Sequence, residues 1–169
     1  MNAHDASPDG RWADHQAIVD LLHRYSDIVT RGAWAEDAEL FTAGAVVEIA
    51  PPFDVKIEGA DAICAWRAGS ASLEVLMHTT FSPAVRFLDV DRATATSQTR
   101  EMVRGPARAA DPDAHALNTV FYSVYYDDVV KADGAWRFDR RRCRPIYLES
   151  GVLLGETLAP RSSLEQFTT

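Results

Sequence analysis

Cysteine is nearly absent: Cys64 and Cys143 are the only two in 169 residues, and neither stands in a CxxC or Cys/His spacing of the kind zinc needs. That excludes a disulfide framework and a structural zinc, and it leaves two free thiols expected to be buried, with no metal. Long apolar runs are also missing. None approaches the ~20 residues that a membrane-spanning helix requires, and the first residues show no basic segment followed by an apolar stretch. The expectation is a cytoplasmic protein with no membrane partner. Positive charge is scarce as well, with 17 Lys and Arg against 25 Asp and Glu, a net charge of -8 and a pI near 5.0. A phosphate backbone would be repelled, so nucleic acid is excluded as a partner. The one basic cluster, Arg140, Arg141, Arg142 and Arg144, follows Trp136 and Phe138 in a strand-like run. About half of these arginines should face each side of a sheet instead of forming one patch.

What is present is an ordinary globular balance, 47% hydrophobic and 25% charged, in a chain of the usual size for one domain. The expected division is a loose tail over 1–13, a single pocket domain over 14–150 and a C-terminal extension over 151–169. From Asp14, read as an N-cap, Ile18, Leu21, Leu22, Tyr25, Ile28 and Val29 recur at helical spacing until Gly32 stops them. A shorter helix over 33–41 turns Trp34 and Leu40 or Phe41 inward. A strand over 46–49 follows, then an extended piece over 55–57. A third helix opens at Gly59 and carries Ile63 and Trp66 toward the core. The remainder reads as long strands over 79–90, 93–103, 117–130 and 135–148. Their turns fall at Asp91-Arg92 and at Asp133-Gly134, the latter a favoured hairpin pair. The polar loop 106–113 is placed to rim a pocket. Helices first and hairpins afterwards predict α+β: N-terminal helices packed on a curved antiparallel sheet. The strand over 117–130 is apolar or aromatic on both faces, with Phe121 and Tyr125 on one and Tyr122 and Tyr126 on the other. The second face therefore needs its own cover, and a homo-oligomer is expected, a dimer first and a trimer second.

Two residues suggest chemistry. His78 follows the apolar Val75, Leu76 and Met77 at the start of the first long strand, where an imidazole can act as a base near neutral pH. The plain alternative is a core histidine satisfied by one backbone bond. Tyr25, on the buried face of the first helix, is either a hydrogen-bond donor to a ligand or simple packing.

Taken in order, the stretch from Ala17 to Tyr25, then Trp34, Leu40-Phe41, the helix start from Gly59 to Ile63, Met77-His78, and Tyr126 ahead of the segment from Asp133 to Phe138 resemble the nuclear-transport-factor-2-like superfamily. The nearest branch looks like the SnoaL-like proteins, which include scytalone dehydratase, bile-acid dehydratase and hexachlorocyclohexane dehydrochlorinase relatives. The likeness covers residues 14–148. It implies a conical α+β barrel, a cystatin-like roll, with a pocket between the helices and the concave sheet face. It also implies a cofactor-independent lyase or isomerase, of dehydratase or polyketide-cyclase type, acting on a small, largely apolar or aromatic ring compound. His78 and Tyr25 match the catalytic positions of the dehydratase-like members. The aspartate that pairs with the histidine there is Thr30 here, and threonine can orient His78 or a water but cannot hold an imidazolium. Asp27 should face away from the pocket. Glu101 could replace the carboxylate if it points inward, although a one-residue slip would put Arg100 there. Trp66, Asn118 and Tyr122 are further pocket candidates, and Arg144 could anchor an anionic substituent. The broken histidine–carboxylate pair equally motivates a non-catalytic binding or accessory protein. A structural partner like the small subunit of ring-hydroxylating dioxygenases is a third reading.

Overall fold

The computed structural model describes residues 8–105, 117–152, 156–159, 161, 163 and 164. The loop 106–113, Leu153, Leu154 and Ser162 lie outside the described residues. Helix α1 spans Pro8–Arg31. It begins well before Asp14, so residues 8–13 belong to the helix and not to a tail. Asp14 is no cap: it accepts hydrogen bonds from Lys131 Nζ at 2.7 Å and Trp136 Nε1 at 2.9 Å, tying α1 to the last hairpin. The apolar stripe read from the sequence is the buried one, with Ile18, Leu22 and Ile28 fully inaccessible. Such side chains each contribute roughly 1.5–3 kcal/mol. Gly32, at φ +76°, ends the helix in the left-handed conformation that favours glycine, and its N–H and that of Ala33 donate to Ile28 O.

The expected second helix is a 3-10 turn, η1, over Trp34–Leu40, and strand β1 begins directly at Phe41 and runs to Ile49. Both Leu40 and Phe41 are buried. Strand β2 is Val55–Glu58 and helix α2 is Ala60–Ala68, capped by Gly59 at φ +92°. A second 3-10 turn, η2, over Gly69–Ser72 leads into β3. The long strands are β3 over Val75–Phe87, β4 over Arg92–Arg104, β5 over Leu117–Ala132 and β6 over Ala135–Val152. Asp133 and Gly134 both take positive φ, the two-residue turn expected between β5 and β6.

The sheet order is β2-β1-β6-β5-β4-β3, with its two end strands unpaired to each other, so the sheet is curved but unclosed. Every neighbouring pair is antiparallel except β1 and β6, which run parallel because the last strand returns beside the first. The architecture is the expected α+β roll: α1 lies across the concave face, against β3 and β6, and α2 packs at the β1 end. The core sits between them, joining Leu22, Tyr25 and Ile63 to Phe41, Ala95, Val129, Trp136 and Phe138. No helix among the described residues is long and apolar enough to cross a membrane.

Two bulges in β6 control which side chains reach that core. Val129 pairs with Phe138 and Asp128 with Arg140, so Asp139 is an extra residue; Ile146 is another, between the partners of Tyr122 and Ser123. Each inserted residue reverses the inside–outside alternation. Continuing the alternation from the buried Phe138 would send Arg140, Arg142 and Arg144 inward; after the first bulge Arg141 and Cys143 are buried instead.

Candidate functional site

Between α1, α2 and the concave sheet face lies a cavity of about 230 Å³. Apolar walls come from Val29, Phe53, Leu73, Val103 and Phe121, and polar groups from Tyr25, Arg67, His78, Thr99, Glu101 and Ser123. His78 is buried inside β3. Its Nδ1 lies 3.0 Å from Ser26 Oγ, which is itself 2.6 Å from Thr80 Oγ1. Thr30 Oγ1 accepts from the His78 backbone N–H at 3.1 Å and donates to its carbonyl at 3.4 Å. Ser26 and Thr30 are one helical turn apart, so both face β3. Thr30 therefore fixes the backbone of His78, and Ser26 orients the ring. The expectation that Thr30 takes over the ring-orienting role is corrected.

His78 Nε2 is buried with no hydrogen-bond partner among the described residues. Burial, with Arg141 and Arg67 adding to it, pushes the imidazole pKa down to about 3, so the ring is neutral near pH 7. When Ser26 donates to Nδ1, Nε2 carries the proton and is a donor; when Nδ1 donates to Ser26, Nε2 is an acceptor.

Tyr25 packs edge-on against this imidazole, with ring centroids 5.3 Å apart. Two guanidinium carbons lie over its ring, Arg67 at 4.1 Å and Arg141 at 3.8 Å. Burial raises the phenol pKa further than these cations lower it, so Tyr25 keeps its proton as a donor. Glu101 pairs directly with His78 across β3 and β4, and paired residues project to the same face. The register question is thereby settled: Glu101 lines the cavity, and Arg100 points outward to hydrogen-bond Tyr122 Oη at 3.3 Å. Burial raises the Glu101 carboxyl to about 7 against the lowering pull of Arg67 and Arg161. Asp27 faces away, as expected, in an ion pair with Arg31 at 2.7 Å.

Other sequence candidates are placed differently. Trp66 is half-exposed and lines the cavity; the buried residue of α2 beside Ile63 is Arg67. Tyr122 lies exposed on the outer face, tilted against Tyr147 with ring centroids 6.0 Å apart, and not in the pocket. Arg144 is exposed in an outer groove with Glu48, Lys56 and Tyr126, so it anchors nothing inside. Asn118, paired with Arg104 and Gly151, is not among the cavity-lining residues.

Ser26, Arg67 and Arg141 were missed. Arg67 carried a signal, since it stands four residues after Ile63 in the apolar phase of α2. Arg141 carried none, because the Asp139 bulge that turns it inward leaves no mark in the alternation. Its Nε lies 3.3 Å from Asp127 Oδ1, and both side chains are inaccessible. Among the described residues no group of three or more His, Cys, Asp or Glu side chains could hold a metal ion.

Comparison with known proteins places this geometry. Residues 10–142 match the SnoaL-like domain. The fold is similar to that of a putative scytalone dehydratase from Novosphingobium aromaticivorans, with 23% identity, 91% of this chain and 97% of that one covered, and a TM-score of 0.72. It is also similar to a LinA-type hexachlorocyclohexane dehydrochlorinase from Novosphingobium barchaimii, at 16% identity over 91% and 99% of the two chains, TM-score 0.69. A protein from Kribbella flavida is 19% identical over 82% and 95%, TM-score 0.74. Comparison with curated proteins gives no match. With the domain match extending over most of the chain, the protein belongs to the SnoaL-like domain family of the nuclear-transport-factor-2-like superfamily.

Proposed function

We propose that the protein is a cofactor-independent lyase or isomerase that moves a proton on a small, largely apolar ring compound. The observation that carries this reading is the convergence of three groups on one cavity: the Tyr25 phenol, the neutral His78 imidazole, and the Glu101 carboxyl directly across the strand pair from His78. With its pKa near 3, His78 is a weak base, whereas Glu101 near 7 is matched to the pH at which it would work. Glu101 is therefore assigned the proton. Its carboxylate takes hydrogen from the carbon next to a carbonyl, and Tyr25 and His78 Nε2–H donate to the carbonyl oxygen as it becomes an enolate. In a dehydration the enolate collapses, the carbon–oxygen bond of a β-hydroxyl breaks, and Glu101 returns its proton to form water. In an isomerisation the same proton goes back to a different carbon.

The test is α-proton exchange into heavy water, followed by NMR on a panel of cyclic ketones and β-hydroxy ketones. Glu101→Gln is expected to slow exchange by about 10²-fold or more, and Tyr25→Phe and His78→Ala by at least about tenfold. Variants that all match the wild type would end the reading. One observation favours a second, that of a non-catalytic binder: a serine, and not a carboxylate, holds His78 Nδ1. It predicts saturable binding with no exchange on any ring compound.

We also propose a homodimer. The outer face exposes Tyr122, Tyr126 and Tyr147, with the bulge residue Ile146 next to Tyr147, each at least 43% accessible. A second copy of the chain would cover them. A monomer by light scattering at all concentrations would count against it.

A further inference from the structure

Arg67 reaches the cavity from the buried side of α2. Its Nε lies 2.8 Å from Asp37 Oδ2, with the two side chains 5% and 0% exposed. Its guanidinium carbon stands 4.1 Å from the Tyr25 ring centroid and 5.4 Å from that of Trp34. Nη1 and Nη2 are buried and have no hydrogen-bond partner among the described residues. Leaving charged donors dry and unpaired is costly, more so than for neutral groups. A guanidinium in this state retains the planar edge that binds a carboxylate through two parallel hydrogen bonds.

The other charges nearby do not occupy that edge. Arg161 is committed elsewhere: it donates to the carbonyls of Val29, Thr30 at 3.2 Å and Ser70 at 3.0 Å. Arg141 is paired with Asp127 and does not line the cavity. Glu101 lines it but makes no ion pair among the described residues. Because burial outweighs the pull of Arg67 and Arg161 on that carboxyl, Glu101 is largely protonated below pH 7 and does not take the place of an anion on the Nη edge.

We infer that the Nη edge of Arg67 is an anion subsite, and that the ligand of this cavity is a small ring compound bearing a single carboxylate, with its apolar body against Phe121 and Val103. The volume sets the size: about 230 Å³ is below the roughly 300 Å³ at which sites for drug-sized molecules begin, which suits one ring with a short substituent. A dianionic phosphate is disfavoured, since its second charge would face Glu101 across the same small space. This inference deepens the proposed function by naming the substrate class, and it rests on the same cavity.

The experiment is calorimetric titration of the full chain at pH 6 with benzoate and with benzamide, which share a shape and differ in charge. Wild type should bind benzoate at least about tenfold more tightly, the discrimination expected when a charged hydrogen-bonded partner replaces a neutral one. In a double variant, Arg67→Gln with Asp37→Asn, both charges of the buried pair are removed together, and the benzoate-to-benzamide ratio should fall to about one. Equal or tighter binding of benzamide by wild type, or absence of benzoate binding up to on the order of 10 mM, overturns the inference. So does a double variant that keeps the preference. Should that variant fail to fold by circular dichroism, the wild-type ratio decides, repeated with cyclohexanecarboxylate and its amide. Carboxylate preference without proton exchange on any ring compound leaves the subsite standing and removes the lyase reading; exchange on neutral ketones without that preference does the reverse.

Discussion

Arg141 and Arg142 are consecutive on β6, and the pleat sends them to opposite sides of one sheet. Arg142 is about half-exposed, and its Nη2 donates to Asp128 Oδ2 at 2.8 Å, with water available for the rest of the guanidinium. Arg141 is inaccessible; its Nε is 3.3 Å from Asp127 Oδ1, and all three of its nitrogens lack hydrogen bonds among the described residues. Aromatic faces surround it, with Tyr25 at 3.8 Å and Tyr125 and Phe138 each at 4.3 Å from its guanidinium carbon. The same contrast holds along β4, where Arg100 is exposed and Glu101 is partly buried against the cavity. Size does not distinguish the two faces: the outer face carries open grooves of about 570 and 410 Å³, both larger than the inner cavity. Desolvation does. A charge loses little by standing on the outer surface and gains little from its partner there. A charge held inside is expensive unless the fold or a ligand compensates it, so the inner face is where side chains are arranged for a purpose beyond stability.

The sharpest way to break this comparison is to truncate the two neighbours in turn. Arg141→Met strands Asp127 in the core, where burial already raises that carboxyl to about 6 despite the adjacent cation. Loss of about 3–5 kcal/mol is expected in urea unfolding, against less than about 1 kcal/mol for Arg142→Met. Removing both partners inside, Arg141→Met with Asp127→Leu, should recover much of the loss, because an apolar pair of similar bulk leaves no buried charge. Equal costs at 141 and 142 would mean that the buried pair is not dry.

Next in size is a pH effect confined to the inner face. Glu101 has a folded-state pKa near 7, above its ordinary value of 4.5. Its contribution to stability is therefore complete below pH 4.5 and is lost as pH rises through 7, when the buried carboxylate must ionise. Arg67 and Arg161 oppose that loss, while Tyr25, Tyr125 and neutral His78 add no charge beside it. Glu101→Gln removes the titrating group, so between pH 5 and pH 8 the variant should gain about 2–3 kcal/mol relative to wild type. A parallel pair of pH–stability curves would contradict it, and Arg100→Gln, one residue away on the solvated side, should give parallel curves.

The contrast between the faces also explains what could be read in advance. Helix α1 and the hairpin at Asp133-Gly134 declare themselves through apolar periodicity and turn chemistry that depend on a few neighbouring residues. The meeting of Tyr25 with His78 was legible as a likeness to other members of the fold. What escaped were features created by tertiary register. Ser26 reads as one more polar residue beside Tyr25 until β3 is laid against α1 and brings His78 Nδ1 within 3.0 Å. Trp66 looks like the core residue of α2 by hydropathy, yet it is Arg67 that turns inward, one helical turn from Ile63. Arg144, the anion-anchor candidate read from the sequence, stands on the outer face while Arg141 turns inward, because a single inserted residue at Asp139 reverses the alternation along β6.

The smallest effects provide the finest test, because hydrogen-bonding hydroxyls on the two faces can be deleted one at a time. Ser26→Ala leaves His78 Nδ1 and Thr80 Oγ1 without their shared partner inside the fold, which should cost about 1–2 kcal/mol. It should also shift the balance of imidazole tautomers, read from the ring nitrogen shifts by NMR. Tyr122→Phe removes the acceptor of an outer-face bond from Arg100, at a ring that is 43% exposed. Water replaces that acceptor, so no more than about 0.5 kcal/mol is expected at low protein concentration. The same substitution reports on the proposed dimer. If a second copy covers the outer face, Tyr122 is dry in the assembly, and the cost of the lost hydroxyl should grow as protein concentration rises and dimers form. A cost that stays near zero across that range would leave the outer face as solvated as the single chain shows it.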